Sequence, residues 1–402
     1  MCESDRDHLD PEMKIFQASA HCIRPAWLEI NLSQFRRNLA SIREDMQRLH
    51  HSQRRAPLRW CAVVKDQAYG HGAVALARET LLAGASYLAV ATLEEASELQ
   101  QAKIRAPMMI FGERPAEEIE ECVRRDFTFF VNDVAQANRV NAICRQLEKK
   151  AKIHFEIDTG LSRYGVRWTQ AWPVIEAILA CEMIELEGIM THFAMSDELD
   201  KTFANEQLRR LKEVIDSDAQ NKLRGKIFHT CNTGGYLDLP QAHLDMVRIG
   251  ILPLGVYPSK VCRRIEGLAP IMSVKTKIAA IKNIEAGDTV GYGMRYRAES
   301  PRRIAVLPMG YGDGFPRVRN AGHVLVHGLR AAIIGGNAMD AMMIDITDIP
   351  QAEVWDEVVV MGKQGDQEIS VHDLAVLAGS ISYEVMTKLS IRLPRVYVED
   401  EN

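Results

Sequence analysis

The sequence predicts an α/β plus β chain. An N-terminal (β/α)8 barrel spans residues 26–262, a C-terminal, mainly antiparallel β-domain spans 263–402, and an extension covers residues 1–25. Three observations carry this reading. Short apolar runs alternate with segments of helical period through the first two-thirds of the chain. Polar residues collect at the C-terminal ends of those runs. Beyond residue 265 the rhythm changes to short strands separated by glycine-rich turns.

The apolar runs, in order, are WCAVVK (60–65), YLAVAT (87–92), PMMIFG (107–112), FTFFVN (127–132), KIHFEID (152–158), LEGIMTHF (186–193), KIFHTCN (226–232) and MVRIGI (246–251). Each is nearly continuous in apolar residues, the pattern of parallel strands buried on both faces. Between them, segments such as TLEEASELQQA and NDVAQANRVNAICRQLEKK repeat their apolar residues at helical spacing. Eight such units suggest a closed barrel. An open doubly wound sheet is the alternative, and no G-x-G-x-x-G follows the first run to support it. Lys65, Asn132, Asp158, His192 and Asn232 sit at or next to the C-terminal ends of their runs, and Arg248 interrupts the last one. In a barrel that rim carries the active site, so these residues should converge on one mouth.

The second region reads as SVKTKIAAIKNI, DTVGYG, RRIAVLPMG, HVLVHG, RAAIIGG, AMMIDIT and EVVVMG, punctuated by EAGD, GYGDG and HG, with one helical patch near VHDLAVLAGS.

Composition narrows the function. The chain has 402 residues, 47% of them hydrophobic and 26% charged, which is ordinary for a globular protein large enough to bury a core without disulfides. Its formal charge of −5 comes without a long basic block, which argues against nucleic acid or an anionic membrane as a partner. Eight cysteines are scattered with no C-x-x-C pair, the usage of reduced cytosolic thiols. The start, MCESDRDHLDPEMK, lacks a signal-peptide core, and no run approaches the length that crosses a bilayer; a cytoplasmic location is the expectation.

The chemistry begins at Lys65, in AVVKDQAYGHG. A lysine ending a barrel strand is delivered to the mouth, where neighbours can lower its pKa and fit it to form a Schiff base with a carbonyl. Tyr69, Gly70, His71 and Gly72 follow, a hydroxyl donor on a loop whose backbone can approach a phosphate.

AVVKDQAYGHG resembles the lysine-bearing motif of the alanine racemase family, the fold-type III pyridoxal phosphate enzymes. IDTGLSRYG, THFAMSDE, HTCNTGGYL, MVRIGI, VGYGMRY, PMGYGDG, NAMD and ISYEV resemble that family's successive motifs in order, from about residue 27 to 398. The resemblance implies a barrel followed by a β-domain, pyridoxal 5'-phosphate as cofactor, no metal, and a homodimer with shared active sites. It implies interconversion of L- and D-alanine, supplying D-alanine for the bacterial cell wall. Lys65 would carry the cofactor and act as one of two bases; Tyr292, from the partner subunit, would be the other. Two bases on opposite faces suit racemisation, since one takes the α-proton and the other returns one from the far side. Arg248 would bond the cofactor's ring nitrogen, with His229 orienting it and His192 flanking the ring. Asn232 would join the cofactor site, and Tyr69, Thr233, Tyr383, Gly250 and Ile251 would hold the phosphate. Arg163, the partner's Met339, and Tyr311 would meet the substrate.

The sequence departs from the family's usual pattern in places. Glu156 stands where many members carry a lysine modified to a carbamate, Ala338 where a cysteine is usual, and Leu254 where a tyrosine often occurs. Serine, basic or broad-specificity racemisation on the same fold is therefore the alternative, with a non-catalytic pyridoxal phosphate-binding barrel as a reading from another class.

Overall fold

The computed structural model describes residues 24–53, 57–389 and 391–400. The expectation for residues 1–25 lies almost wholly outside them. The chain divides into two compact units, Arg36–Ala269 and the residues before Arg36 joined with Pro270 onward.

The first unit is a nearly closed parallel barrel. Its strands are β2 (Arg59–Val63), β3 (Tyr87–Val90), β4 (Met108–Ile110), β5 (Thr128–Phe130), β6 (Ala151–Asp158), β8 (Ile184–Met190), β9 (Ile227–His229) and β10 (Met246–Ile249), after a first strand, β1 (Ala26–Asn31), that lies elsewhere. A two-residue strand, β7 (Val166–Arg167), attaches to the edge of β6. The order β10-β2-β3-β4-β5-β6-β8-β9 follows the chain and returns the last strand beside the first. β9 and β10 meet through the amide of Asp245 on the carbonyl of Phe228 (3.0 Å) and that of Arg248 on Cys231 (2.8 Å). Each expected run is a strand, and most are fully buried, as two-sided burial of a parallel sheet requires.

The helices between strands carry their own start signals. Thr92 and Glu95 form a reciprocal capping box at Leu93–Gln101, and Asp133 caps Val134–Gln146 through the Gln136 amide. In Ala116–Arg124, Ile119, Cys122 and Val123 turn inward while the glutamates stay out.

β1 does not belong to the barrel, although the sequence reading placed residue 26 at the barrel's start. AWLEIN alternates buried and half-buried positions, the mark of a strand with two different faces. It pairs antiparallel with β11 (Met272–Lys277) and parallel with a strand near the C-terminus, Arg395–Val398.

The second unit contains a ten-stranded, mainly antiparallel sheet. Its hairpin between His323–Val326 and Leu329–Ile334 turns on His327 and Gly328, both at positive φ (51° and 75°), the geometry a two-residue hairpin prefers. The helical patch is Val371–Ala378, started by a Ser370–Asp373 capping box and ended by Gly379 in the left-handed region. A second helix, Ser382–Lys388, was not evident in the sequence. Among the described residues no helix is long and apolar enough to cross a membrane.

Candidate active site

The barrel's C-terminal mouth gathers the charged groups expected there. Lys65 lies two residues past the end of β2 and is half-buried. Burial, then the Arg163 guanidinium, holds its amine below the usual lysine range, with Glu95 and Asp66 opposing. The next four residues, Asp66 to Tyr69, all sit in the left-handed region with φ between 50° and 54°. Left-handed turns cost on the order of 1–2 kcal/mol per non-glycine residue. The turn is held by the Gly72 amide on the Gln67 carbonyl (2.7 Å) and by His71 Nδ1 against the carbonyls of Ala68 and Tyr69 (3.0 and 2.9 Å). It directs the buried Tyr69 hydroxyl at Gly250, where a Cβ would stand 2.3 Å from that oxygen.

Thr233 Oγ1 accepts from the Gly250 amide (3.4 Å). Tyr69, Thr233 and Gly250 therefore meet at one point beside Ile251, lined by hydroxyls and backbone amides. Asn232 precedes this point as an N-cap: its Oδ1 accepts from the Gly235 amide (3.0 Å) and from Ser196 Oγ (2.7 Å). It fixes the backbone that presents Thr233.

Arg248 is fully buried and its guanidinium faces only neutral acceptors. Nη1 donates to His229 Nδ1 (2.8 Å) and the His229 carbonyl (3.1 Å); Nη2 reaches the carbonyls of Thr191 (3.1 Å) and Thr230 (3.0 Å) and His192 Nδ1 (3.2 Å). Among the described residues its Nε–H alone carries no acceptor. Burial and the Arg248 charge push His192 and His229 far below the ordinary imidazole range, so both are neutral.

Glu156 is buried on β6, and burial raises its carboxyl against the pull of Arg248 and Arg163. Arg163 itself is exposed, on a loop shaped by Asp158 Oδ1, which accepts from the amides of Gly160 (2.9 Å) and Ser162 (3.0 Å). The pair interacts at a distance, with no ion pair within 4 Å among the described residues.

The remaining expected residues lie in the second unit. Tyr292 is 75% exposed, at the tip of a hairpin between Thr289–Val290 and Tyr296–Arg297. Gly291 abuts Gly336, leaving 2.9 Å between its absent Cβ and the Gly336 backbone. The amides of Tyr311 and Gly312 donate to the carbonyls of Ala338 (3.1 Å) and Met339 (2.7 Å). Tyr292, Tyr311 and Met339 thus share neighbouring loops, all three exposed. Tyr383 is half-buried on the helix Ser382–Lys388, which borders the Tyr311 loop: Glu384, Val385 and Lys388 line one cavity with Tyr311 and Gly312.

Two residues escaped the sequence reading. His154 Nδ1 meets His229 Nε2 at 2.7 Å, and His154 Nε2 meets Glu187 Oε2 at 3.3 Å. A histidine inside the run KIHFEID, two positions before Glu156 and so on the same face of the strand, was the available signal. Gly188 makes room for that ring: a Cβ there would lie 2.4 Å from His154 Cε1 and 2.8 Å from the Ile227 carbonyl oxygen. Gly188→Ala is expected to cost about 1–3 kcal/mol through overpacking. Denaturant unfolding reads the effect, and a variant as stable as the parent would mean the ring can move aside.

Comparison with known proteins agrees with this geometry. Residues 30–258 match the family "Alanine racemase, N-terminal domain" and 271–397 match "Alanine racemase, C-terminal domain". The alanine racemase of Methanococcus maripaludis is 38% identical over 376 residues, 93% of this chain and 99% of that protein. The solved alanine racemase of Clostridium difficile 630 superposes with a TM-score of 0.88 at 33% identity, covering 95% of this chain and 98% of that one. A solved histidine racemase from Leuconostoc mesenteroides subsp. sake gives 0.84 at 27% identity, over 94% and 99% of the two chains. With a barrel mouth bearing Lys65 and Arg248, a β-unit bearing Tyr292, and both family domains matched in order along the chain, the protein belongs to the alanine racemase family of isomerases.

Proposed function

We propose that this protein interconverts L- and D-alanine with pyridoxal 5'-phosphate, using Lys65 and Tyr292 as opposed bases. The observation that carries the reading is the mouth of the barrel, where Lys65, Arg163, His192 and Arg248 act on one another electrostatically and the lysine amine is held below its ordinary range.

The residues present fit the cofactor. The open Nε–H of Arg248 suits a ring nitrogen acceptor, and the cradle of Tyr69, Thr233 and the backbone of Gly250 and Ile251 suits a phosphate; by the resemblance, Tyr383 would add a further hydroxyl. When bound, pyridoxal phosphate supplies an electron sink that acidifies the α-carbon of an attached amino acid. The chain does the rest. Lys65 Nζ carries the cofactor and exchanges a proton on one face of the α-carbon. Arg248 stays cationic and can only donate, so the nitrogen it meets keeps no proton of its own. That weakens the sink and favours prompt return of a proton to carbon. Arg163 would hold the substrate carboxylate together with the backbone of the partner's Met339, and Tyr311 would line the substrate entrance. Glu156 couples electrostatically to Arg163 and Arg248 from its buried place on β6.

The second base, Tyr292, would come from the partner subunit in a homodimer, since it is exposed on the β-unit together with Met339. A cytoplasmic supply of D-alanine for cell-wall synthesis is the role this activity implies. A second reading, racemisation of a larger or basic amino acid, draws support from the likeness to the histidine racemase, because a pocket separates one methylene by only about 1–3 kcal/mol.

Incubating the protein with saturating pyridoxal phosphate and single L-amino acids in deuterium oxide, followed by chiral chromatography, decides between them. L-Alanine is expected to yield D-alanine carrying deuterium at Cα. D-Histidine or D-arginine without D-alanine would establish the second reading instead.

A further inference from the structure

Buried Arg248 is one end of a continuous chain of side chains crossing the barrel interior. It runs from Arg248 Nη1 to His229 Nδ1 (2.8 Å), from His229 Nε2 to His154 Nδ1 (2.7 Å), and from His154 Nε2 to Glu187 Oε2 (3.3 Å). Both histidines are fully buried, with ring centroids 4.9 Å apart, and Tyr87 and Phe130 pack edge-on against His154.

Its ends leave one arrangement of protons. Arginine has no acceptor, so His229 Nδ1 must offer a lone pair and His229 must carry its proton on Nε2. That proton points at His154 Nδ1, which must then accept, placing the His154 proton on Nε2, toward Glu187. The far end is an ionised carboxylate. Burial would raise it, but the hydrogen bond with His154 and the charge of Lys152 (3.3 Å) hold its pKa down to about 2. Burial also keeps His154 neutral at ordinary pH.

The backbone is built around this contact. β6 and β8 pair Ile153 with Leu186, then His154 with Gly188, so Glu187 is an extra residue bulged out of a parallel ladder. Bulges re-aim side chains, and they are rare between parallel strands. The next residue is the glycine whose missing Cβ admits the His154 ring. The bulge and the glycine together seat the carboxylate against the imidazole.

We propose that Glu187 is a positioning residue for the racemase reaction: acting through His154 and His229, it fixes the direction in which Arg248 donates and so holds that guanidinium square to the group it binds. The inference rests on the reading above that Arg248 meets the cofactor's ring nitrogen. The chain itself can be tested without that reading.

The test is nitrogen-15 NMR of the holoenzyme labelled at histidine, for the parent, Glu187→Ala and Glu187→Gln. In the parent, His154 and His229 should both be neutral with the proton on Nε2. Glu187→Ala removes the final acceptor, and both rings should show mixed tautomers. Glu187→Gln keeps an acceptor oxygen and should restore the parent pattern. In step with this, kcat of Glu187→Ala should fall about 10- to 100-fold with KM for alanine unchanged, as when the outer partners of metal-bound histidines are removed, and Glu187→Gln should recover most of it. A parent spectrum with either proton on Nδ1, or with a doubly protonated ring, overturns the chain outright. Unchanged tautomers in Glu187→Ala, or equal losses in Glu187→Ala and Glu187→Gln, overturn the role of Glu187. If the protein fails to bind pyridoxal phosphate while the tautomers are as expected, the proposed function fails and the chain stands.

Discussion

Mixing two inactive variants, Lys65→Ala and Tyr292→Phe, is expected to restore racemase activity. Lys65 belongs to the barrel unit and Tyr292 to the β-unit of the same chain. If each site takes its lysine from one subunit and its tyrosine from the other, a hybrid dimer has one site lacking both bases and one site intact. Recovery could then approach half of the parent activity per hybrid dimer, starting from variants that each lack a general base and are reduced about 10²–10⁴-fold. The variants are denatured and refolded together, or co-expressed with different tags and purified through both. Proven hybrids without activity would show that the two bases come from one chain.

Much of this arrangement was legible in the sequence, for physical reasons that differ from element to element. The barrel strands showed themselves because parallel strands buried on both faces are continuous apolar runs, and the end of such a run marks the rim. Lys65 and Arg248 stood out because charge in those runs is costly and so has a purpose. The first strand, AWLEIN, did not reveal its place. Its partners, Met272–Lys277 and Arg395–Val398, lie more than two hundred residues away, and alternation alone says that a strand is two-faced without saying which sheet it joins.

The left-handed turn at Asp66–Tyr69 was hidden for a different reason. Local preference places Ala68 and Tyr69 at negative φ, and only the surrounding contacts impose the rarer region. The chain from Arg248 to Glu187 was hidden by distance: His154 and His229 are 75 residues apart, and His154 and Glu187 are 33 apart. No local window contains the pair. Glu187 reads in sequence as an ordinary outward residue of a strand, and it turns toward His154 because a bulge shifts the register there. Tyr292 is the converse case. Nothing in its own surroundings marks it, since it is an exposed tyrosine in a glycine-flanked turn, and only the resemblance singled it out.

That tyrosine supports the prediction with the sharpest asymmetry. A planar α-carbon has two faces, and a barrel lysine and a tyrosine from another subunit should approach from opposite ones. By the family resemblance, Lys65 would exchange the proton of the D-isomer and Tyr292 that of the L-isomer. Tyr292→Ala should nearly abolish racemisation in both directions, because each direction needs both proton transfers. It should leave the visible absorption of bound pyridoxal phosphate intact, because the proposed cofactor lysine, Lys65, is unchanged. Proton NMR in deuterium oxide then separates the two faces. The α-hydrogen of D-alanine should continue to wash out, since the lysine alone can remove and replace it. Exchange from L-alanine should fall about 10²–10⁴-fold, the loss expected for a missing general base. Equal loss from both enantiomers would mean that Tyr292 shapes the site as a whole. Equal retention would mean that one base serves both faces, and Lys65, the amine already held below its ordinary range by burial and Arg163, would be that base.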